Sequence, residues 1–198
     1  MKKLILASVV LFLTACDPFE GTLSVKEAFT VQSTDNDDVV SVTIPAGDQS
    51  AKFEFPSKKE IQIKLKINGK KKTLKLDLPK KLNIPSNGEF SISASDLGQS
   101  FGAAGRAETK VTEGPIRNEN EQCSYTRYET RCYVNGNGQT VCQQVPVTVW
   151  GRRWVEYYDR HTDQKITVNF GSADRVLANF AGQRAYSERI VRYEGQCW

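Results

Sequence analysis

The chain has 198 residues, 39% of them hydrophobic, with 27 basic and 23 acidic side chains and a formal net charge of +4. That length fills one large or two small domains, and so slight a charge excess excludes a general polyanion binder. No apolar run reaches the roughly 20 residues a membrane-spanning helix needs.

Lys2 and Lys3 precede an apolar run from Leu4 to Leu13, followed by Thr14 and Ala15. A short positive start, a short apolar core and small residues before a cut site make a secretory signal. Leu13-Thr14-Ala15-Cys16 adds a second meaning, because this segment resembles a bacterial lipoprotein signal with its lipobox. The resemblance covers residues 1–16 only. It implies removal of residues 1–15 as the lipoprotein signal peptide and acylation of Cys16 (two or three chains, palmitate among them). One chain binds a membrane only marginally, so several give a stable anchor. The expected address is the cell envelope, with the protein facing the periplasm. Asp17 disfavours transport to the outer membrane in enteric bacteria, a rule other bacteria do not all follow, so either membrane stays open. Loss of Lys2 and Lys3 lowers the net charge to +2.

The composition of the rest predicts two modules. All seven tyrosines, all three tryptophans and Cys123, Cys132, Cys142 and Cys197 lie beyond residue 120, whereas Lys165 is the one lysine past Lys110. The fold class expected is mainly β, with a Lys-rich, sandwich-like module over residues 16–96, a linker over 97–122 and a disulfide-linked aromatic and arginine-rich meander over 123–198. In the first module Val39–Ile44 and Phe53/Phe55 read as strands. So do Ile61, Ile63, Leu65 and Ile67 alternating with polar residues, then Leu74, Leu76 and Leu78, then Phe90 and Ile92. Asn68-Gly69 is a hairpin signal. Several strands with one apolar face each need a second sheet to cover that face, which a sandwich supplies. Residues 97–122, rich in Gly, Ala, Glu and Asn, have little periodicity and read as a linker.

In the second module strands are expected on both sides of Asn135-Gly136-Asn137-Gly138, and a further hairpin around His161-Thr162-Asp163. Ser172 would cap a short helix over Ala173 to Ala181, ended by Gly182. Four cysteines in an exported chain imply two disulfides. Cys132–Cys142 across the hairpin with Cys123–Cys197 is the first choice, and Cys123–Cys142 with Cys132–Cys197 is the alternative. A zinc site is disfavoured because no C-x-x-C pair occurs.

Two surfaces attract attention. Between Ser57 and Lys81 stand ten lysines and two acids, against eight acids and two lysines over residues 17–56. Lys64, Lys66, Lys70, Lys71, Lys72 and Lys75 would contact anionic lipid, lipopolysaccharide or cell-wall polymer, at about 1 kcal/mol per lysine near such a surface. Their other reading is a solvated face that prevents edge pairing. Trp150, Arg152, Arg153 and Trp154 around Gly151 suggest an exposed turn holding a glycan or a protein partner, or ordinary cross-strand packing. Nucleic acid is excluded as a partner because the lysine-rich module has no Tyr or Trp to stack bases. No cofactor, metal or catalytic residue is expected. His161 reads as a solvated turn residue, no G-x-S-x-G elbow occurs, and Asp35-Asn36-Asp37-Asp38 lacks the glycine and distal glutamate of a calcium loop. The expected role is non-catalytic binding or scaffolding at the envelope. The alternatives are a periplasmic inhibitor or assembly factor for another protein, and a cell-wall hydrolase.

Overall fold

The computed structural model describes residues 17–35, 38–172 and 174–198. The signal segment, Cys16, the middle of the Asp35–Asp38 turn and the first residue of the expected helix lie outside them. The protein is mainly β, and its contacts divide it into two units: Met1–Lys110 with Thr162–Tyr186, and Val111–His161 with Ser187–Trp198.

The first unit contains β1 (Phe19–Val25), β2 (Phe29–Asp35), β3 (Asp38–Ile44), β4 (Gly47–Ser57), β5 (Glu60–Ile67), β6 (Lys70–Asp77), β7 (Gly88–Ile92) and a one-turn helix α1 (Ala94–Leu97). Parts of β8 (Gly102–Glu113), β10 (Thr140–Gly171) and β11 (Val176–Glu194) complete it. The main sheet runs β6-β5-β4-β1-β11-β10-β8-β7, and β2 and β3 form a separate pair. Leu74 and Leu76 at one end of that order share a core with Ile92 at the other, so the sheet curls around its apolar face. Phe29, Val31 and Ile44 of the β2–β3 pair close the core. Phe53 stacks on Phe180 at 4.0 Å and Phe170 lies 5.9 Å from Phe53, which puts the centre of the unit at β4, β10 and β11.

Local chemistry explains these strands. Asn68 (φ 51°) and Gly69 (φ 76°) take the left-handed conformations that a tight β5–β6 turn demands. Ile61, Ile63 and Leu65 are buried while Lys64 and Lys66 point away, the alternation of a strand with one covered face. At the sheet edge, the backbone N–H of Lys75 donates to Ser33 Oγ at 2.9 Å. The Gln99 amide bonds both the N–H and the carbonyl of Gln32 at 2.8 Å, standing in for a neighbouring strand.

Three expectations are corrected. Residues 97–122 are not a linker: after α1 the chain forms β8 and then β9 (Arg117–Val134). β8 escapes a periodicity search because its core positions carry only Ala103 and Ala107, small enough for close pairing with Ile92 and Gly88 of β7. The helix expected over Ala173 to Ala181 does not form among its described residues, 174–181. Ser172 and Arg175 exchange backbone hydrogen bonds in a turn, and β11 then pairs with β1, setting Phe180 against Leu23. Satisfying both sides of a sheet outweighs a weak local helix preference. No hairpin forms around His161. From Thr162 to Phe170 every second residue is buried without a break, because β-branched Thr162, Ile166, Thr167 and Val168 favour extended backbone and no glycine or proline interrupts the run. Hence residues 162–186 belong with the first unit, not with a module starting at Cys123.

The second unit is built on the β9–β10 pairing, which is antiparallel from Val134↔Thr140 to Arg117↔Tyr157. Asn135 Oδ1 accepts from the N–H groups of Asn137 and Gln139, each at 3.0 Å, and Gly138 (φ 76°) completes the turn. This register sets Cys132 opposite Cys142. Disulfides join Cys132 to Cys142 and Cys123 to Cys197.

Candidate functional site

The Trp150–Trp154 segment is not a turn but the middle of β10, so its side chains alternate between two faces. Arg153 and Gly151 lie on one face; Trp150, Arg152 and Trp154 lie on the other. The first face carries an ion-pair network. Arg153 contacts Glu121 and Glu194 (3.5 and 2.8 Å), and Arg189 contacts Glu119 and Glu121 (2.9 and 2.7 Å). The Arg189 guanidinium also sits 3.6 Å over the Tyr157 ring, whose hydroxyl donates to Glu119. Desolvation pushes the Glu119 carboxyl up, but Tyr157 and Arg189 together hold it below its ordinary range. Arg153 is therefore part of the unit's internal scaffold.

The opposite face is open. Trp150 is 69% exposed and Trp154 40%. The C-terminal segment adds a third indole. Arg152 and Trp198 exchange two backbone hydrogen bonds, each 3.0 Å, and the Gly195 N–H donates to the Trp154 carbonyl at 2.7 Å. Residues that exchange both bonds lie directly opposite on one face, so Trp198, 65% exposed, flanks Arg152. Across β9 the same face carries Ser124, Gln122 and Asn120 opposite Trp150, Arg152 and Trp154. Cys123–Cys197 ties down the segment that bears Trp198. A Cβ at Gly151 would collide with the Trp198 carbonyl and stand 3.3 Å from Cys197 Sγ, so glycine there admits the chain terminus. Neither Trp198 nor the β9 residues carry a local signal of their own; the adjacent Cys197 is the one sequence hint to the former.

The six lysines do not form one patch. Lys64, Lys66, Lys71 and Lys75 lie on the outer face of β5 and β6, with Lys66 directly opposite Lys71. Lys70 and Lys72 project from the other face, where Leu74 and Leu76 continue the β6 row into the core. Lys64 is engaged by both carboxylate oxygens of Glu54 at 2.7 Å.

A cleft of about 1040 Å³ opens in the first unit, lined by Asp17, Lys110, Lys165, Gln164 and Arg184 among others. Arg184 lies 4.4 Å over the Phe19 ring and donates to Gln164 Oε1 (2.6 Å) and to the Asp17 carbonyl (3.0 Å). Burial draws its pKa below the usual guanidinium value. No sequence pattern singles out Gln164 or Arg184, because a polar residue in an alternating strand looks the same whether it faces water or a cleft floor.

His161 Nδ1 lies 2.6 Å from Ser187 Oγ. Both side chains are exposed. Among the described residues no carboxylate hydrogen-bonds that ring and no cluster suited to a metal occurs. No protein-family model, curated protein or solved structure matches the chain.

Proposed function

We propose that this chain is a lipid-anchored bacterial envelope protein that binds a partner through the tryptophan face of its second unit. The reading of the anchor rests on the charged start, the apolar run and Leu13-Thr14-Ala15-Cys16. The observation that carries the binding role is the display of Trp150, Trp154 and Trp198 in solvent on one side of a strand pair. Exposed tryptophans grouped around an arginine are what a binding hot spot is made from, and a scaffold with no ligand would bury them. The outer lysines, Lys66 and Lys71 in particular, favour an anionic membrane or wall surface beside the anchor. In this reading the protein is non-catalytic, and either a wall component or another envelope protein, for which it acts as assembly factor or inhibitor, occupies the face.

Two experiments test it. Cys16→Ser should move the protein from the membrane fraction to the soluble fraction; unchanged sedimentation with membranes removes the anchor from the proposal. A photocrosslinker at position 150 should trap a specific envelope component in living cells, whereas one at exposed Asp48, outside both surfaces, should not. Equal capture at both positions counts against the face.

The hydrolase reading is favoured by one contact, Ser187 Oγ against His161 Nδ1. It predicts that wild-type protein cleaves purified cell wall and that Ser187→Ala does not. The same muropeptide release from both proteins, or from neither, counts against it.

A further inference from the structure

The geometry points to a saccharide site on the tryptophan face, selective for glycans that carry a carboxylate. This rests on the reading of that face as a binding surface and names its ligand class.

The indoles form a triangle. Trp150 and Trp154 are four residues apart on β10, about 13 Å at the usual rise per residue. Trp198 stands beside Arg152 between them, about 5.5 Å away in Cα position, as residues exchanging both backbone bonds do. Rigid, flat side chains spaced along a strand suit consecutive rings of an extended polymer, each stacking on one indole with little entropy to lose.

The spaces between the indoles are polar. Asn120, Gln122 and Ser124 face Trp154, Arg152 and Trp150 across the pairing, and Asn118 and Thr126 extend the same row. All five are exposed. An amide offers two donors and a two-lone-pair acceptor, and a hydroxyl both donates and accepts. That inventory matches a row of sugar hydroxyls. A face built to enter a lipid headgroup layer would set apolar residues beside its tryptophans, whereas the β9 residues opposite Trp150, Arg152 and Trp154 are all polar; the first aromatic of the row, Tyr128, faces Pro146 further along.

Arg152 supplies the charge preference. It is exposed, and no ion pair to it occurs among those of the described residues, whereas Arg153, Arg160 and Arg189 on β10 and β11 each hold two carboxylates. A guanidinium left unpaired between Trp150 and Trp154, with Trp198 at its side, is arranged for bidentate contact with a ligand carboxylate. The construction around Trp198 strengthens the case. A disulfide, two backbone hydrogen bonds and an obligatory glycine at 151 fix an indole that remains 65% exposed, so core packing does not account for its placement.

Intrinsic fluorescence reads this face directly, because the three tryptophans of the chain are all on it. Full-length protein in detergent is titrated with polygalacturonate, alginate and hyaluronan, with carboxyl-reduced polygalacturonate, and with neutral dextran. Saturable binding to at least one carboxylated polymer is expected, at least tenfold weaker for the carboxyl-reduced form. Trp154→Ala should weaken it tenfold or more by affinity electrophoresis, Arg152→Gln should abolish the preference for the carboxylated form, and Lys70→Gln should change neither. Absence of binding to every polymer overturns the proposal. So does binding that survives Trp154→Ala, or a wild-type protein indifferent to carboxyl reduction. Vesicles of phosphatidylglycerol provide the last arm, with the Cys16→Ser form. Vesicle binding weakened by Trp154→Ala would make the face a membrane contact and overturn the glycan assignment. Failure of the titrations together with crosslinking of a protein from position 150 leaves the binding face standing and removes the saccharide. Failure of the anchoring test leaves the titrations unaffected.

Discussion

Removing Cys123–Cys197 should cost this protein more than removing Cys132–Cys142, and loop length sets the difference. The first bridge closes a separation of 74 residues and the second a separation of 10. A chain-entropy account gives about 4.4 kcal/mol for the long loop and about 2.7 kcal/mol for the short one at 25 °C. The short bridge clasps a hairpin that the Asn135–Gln139 hydrogen bonds and the β9–β10 register already bring together. The long one also anchors Gly195–Trp198 against β10, so its loss should free Trp198 as well. The comparison uses Cys123→Ser/Cys197→Ser and Cys132→Ser/Cys142→Ser, which leave no unpaired thiol of either bridge. Denaturant unfolding followed by tryptophan fluorescence reports the second unit alone, since that unit contains all three tryptophans. The long-loop variant should show the larger fall in midpoint, with a red-shifted emission before unfolding begins. A short-loop variant destabilised as much as or more than the long-loop variant would refute the entropy argument.

Other consequences are equally direct. Gly151→Ala should displace the chain terminus and destabilise the second unit by roughly 1–3 kcal/mol, as overpacking against backbone does. The fluorescence midpoint and the accessibility of Trp198 to acrylamide check it. Lys71→Glu places an acid directly opposite Lys66 and should stabilise the β5–β6 hairpin by roughly 0.2–1 kcal/mol. Circular dichroism is the measurement, because the first unit has no tryptophan. Arg127 lowers the Glu129 carboxyl by hydrogen bond, and Tyr157 and Arg189 outweigh desolvation to lower that of Glu119. Groups depressed in the folded state bind protons less readily there. Their contribution is complete above their ordinary value of 4.5 and is lost as pH falls through the depressed folded values. Carboxyl titration by NMR should find both below 4.5, and Arg189→Gln should raise Glu119 toward it.

Much of the first unit is written in its sequence. Ile61 to Ile67 and Leu74 to Leu78 alternate strictly, and Asn68-Gly69 between them can hardly be anything but a turn, so local stereochemistry and the need to bury one face define that hairpin. The turn at Asn135–Gly138 likewise fixes the β9–β10 register from a handful of residues, and the four cysteines, two on each side of it, announce disulfides. Long-range pairing decided the rest. β8 is a strand because β7 accepts its alanines, and residues 176–186 are extended because the sheet around Phe180 needs them, although neither stretch carries a period strong enough to say so. The lysines divide between two faces, and Trp198 comes to stand beside Arg152, for the same reason: a sequence gives the order of side chains along a strand, but the side they face and their neighbours across it arise only when separate strands find their register. That is why the alternating runs could be read in advance, while the tryptophan face and the cleft at Arg184 became visible only in the folded chain.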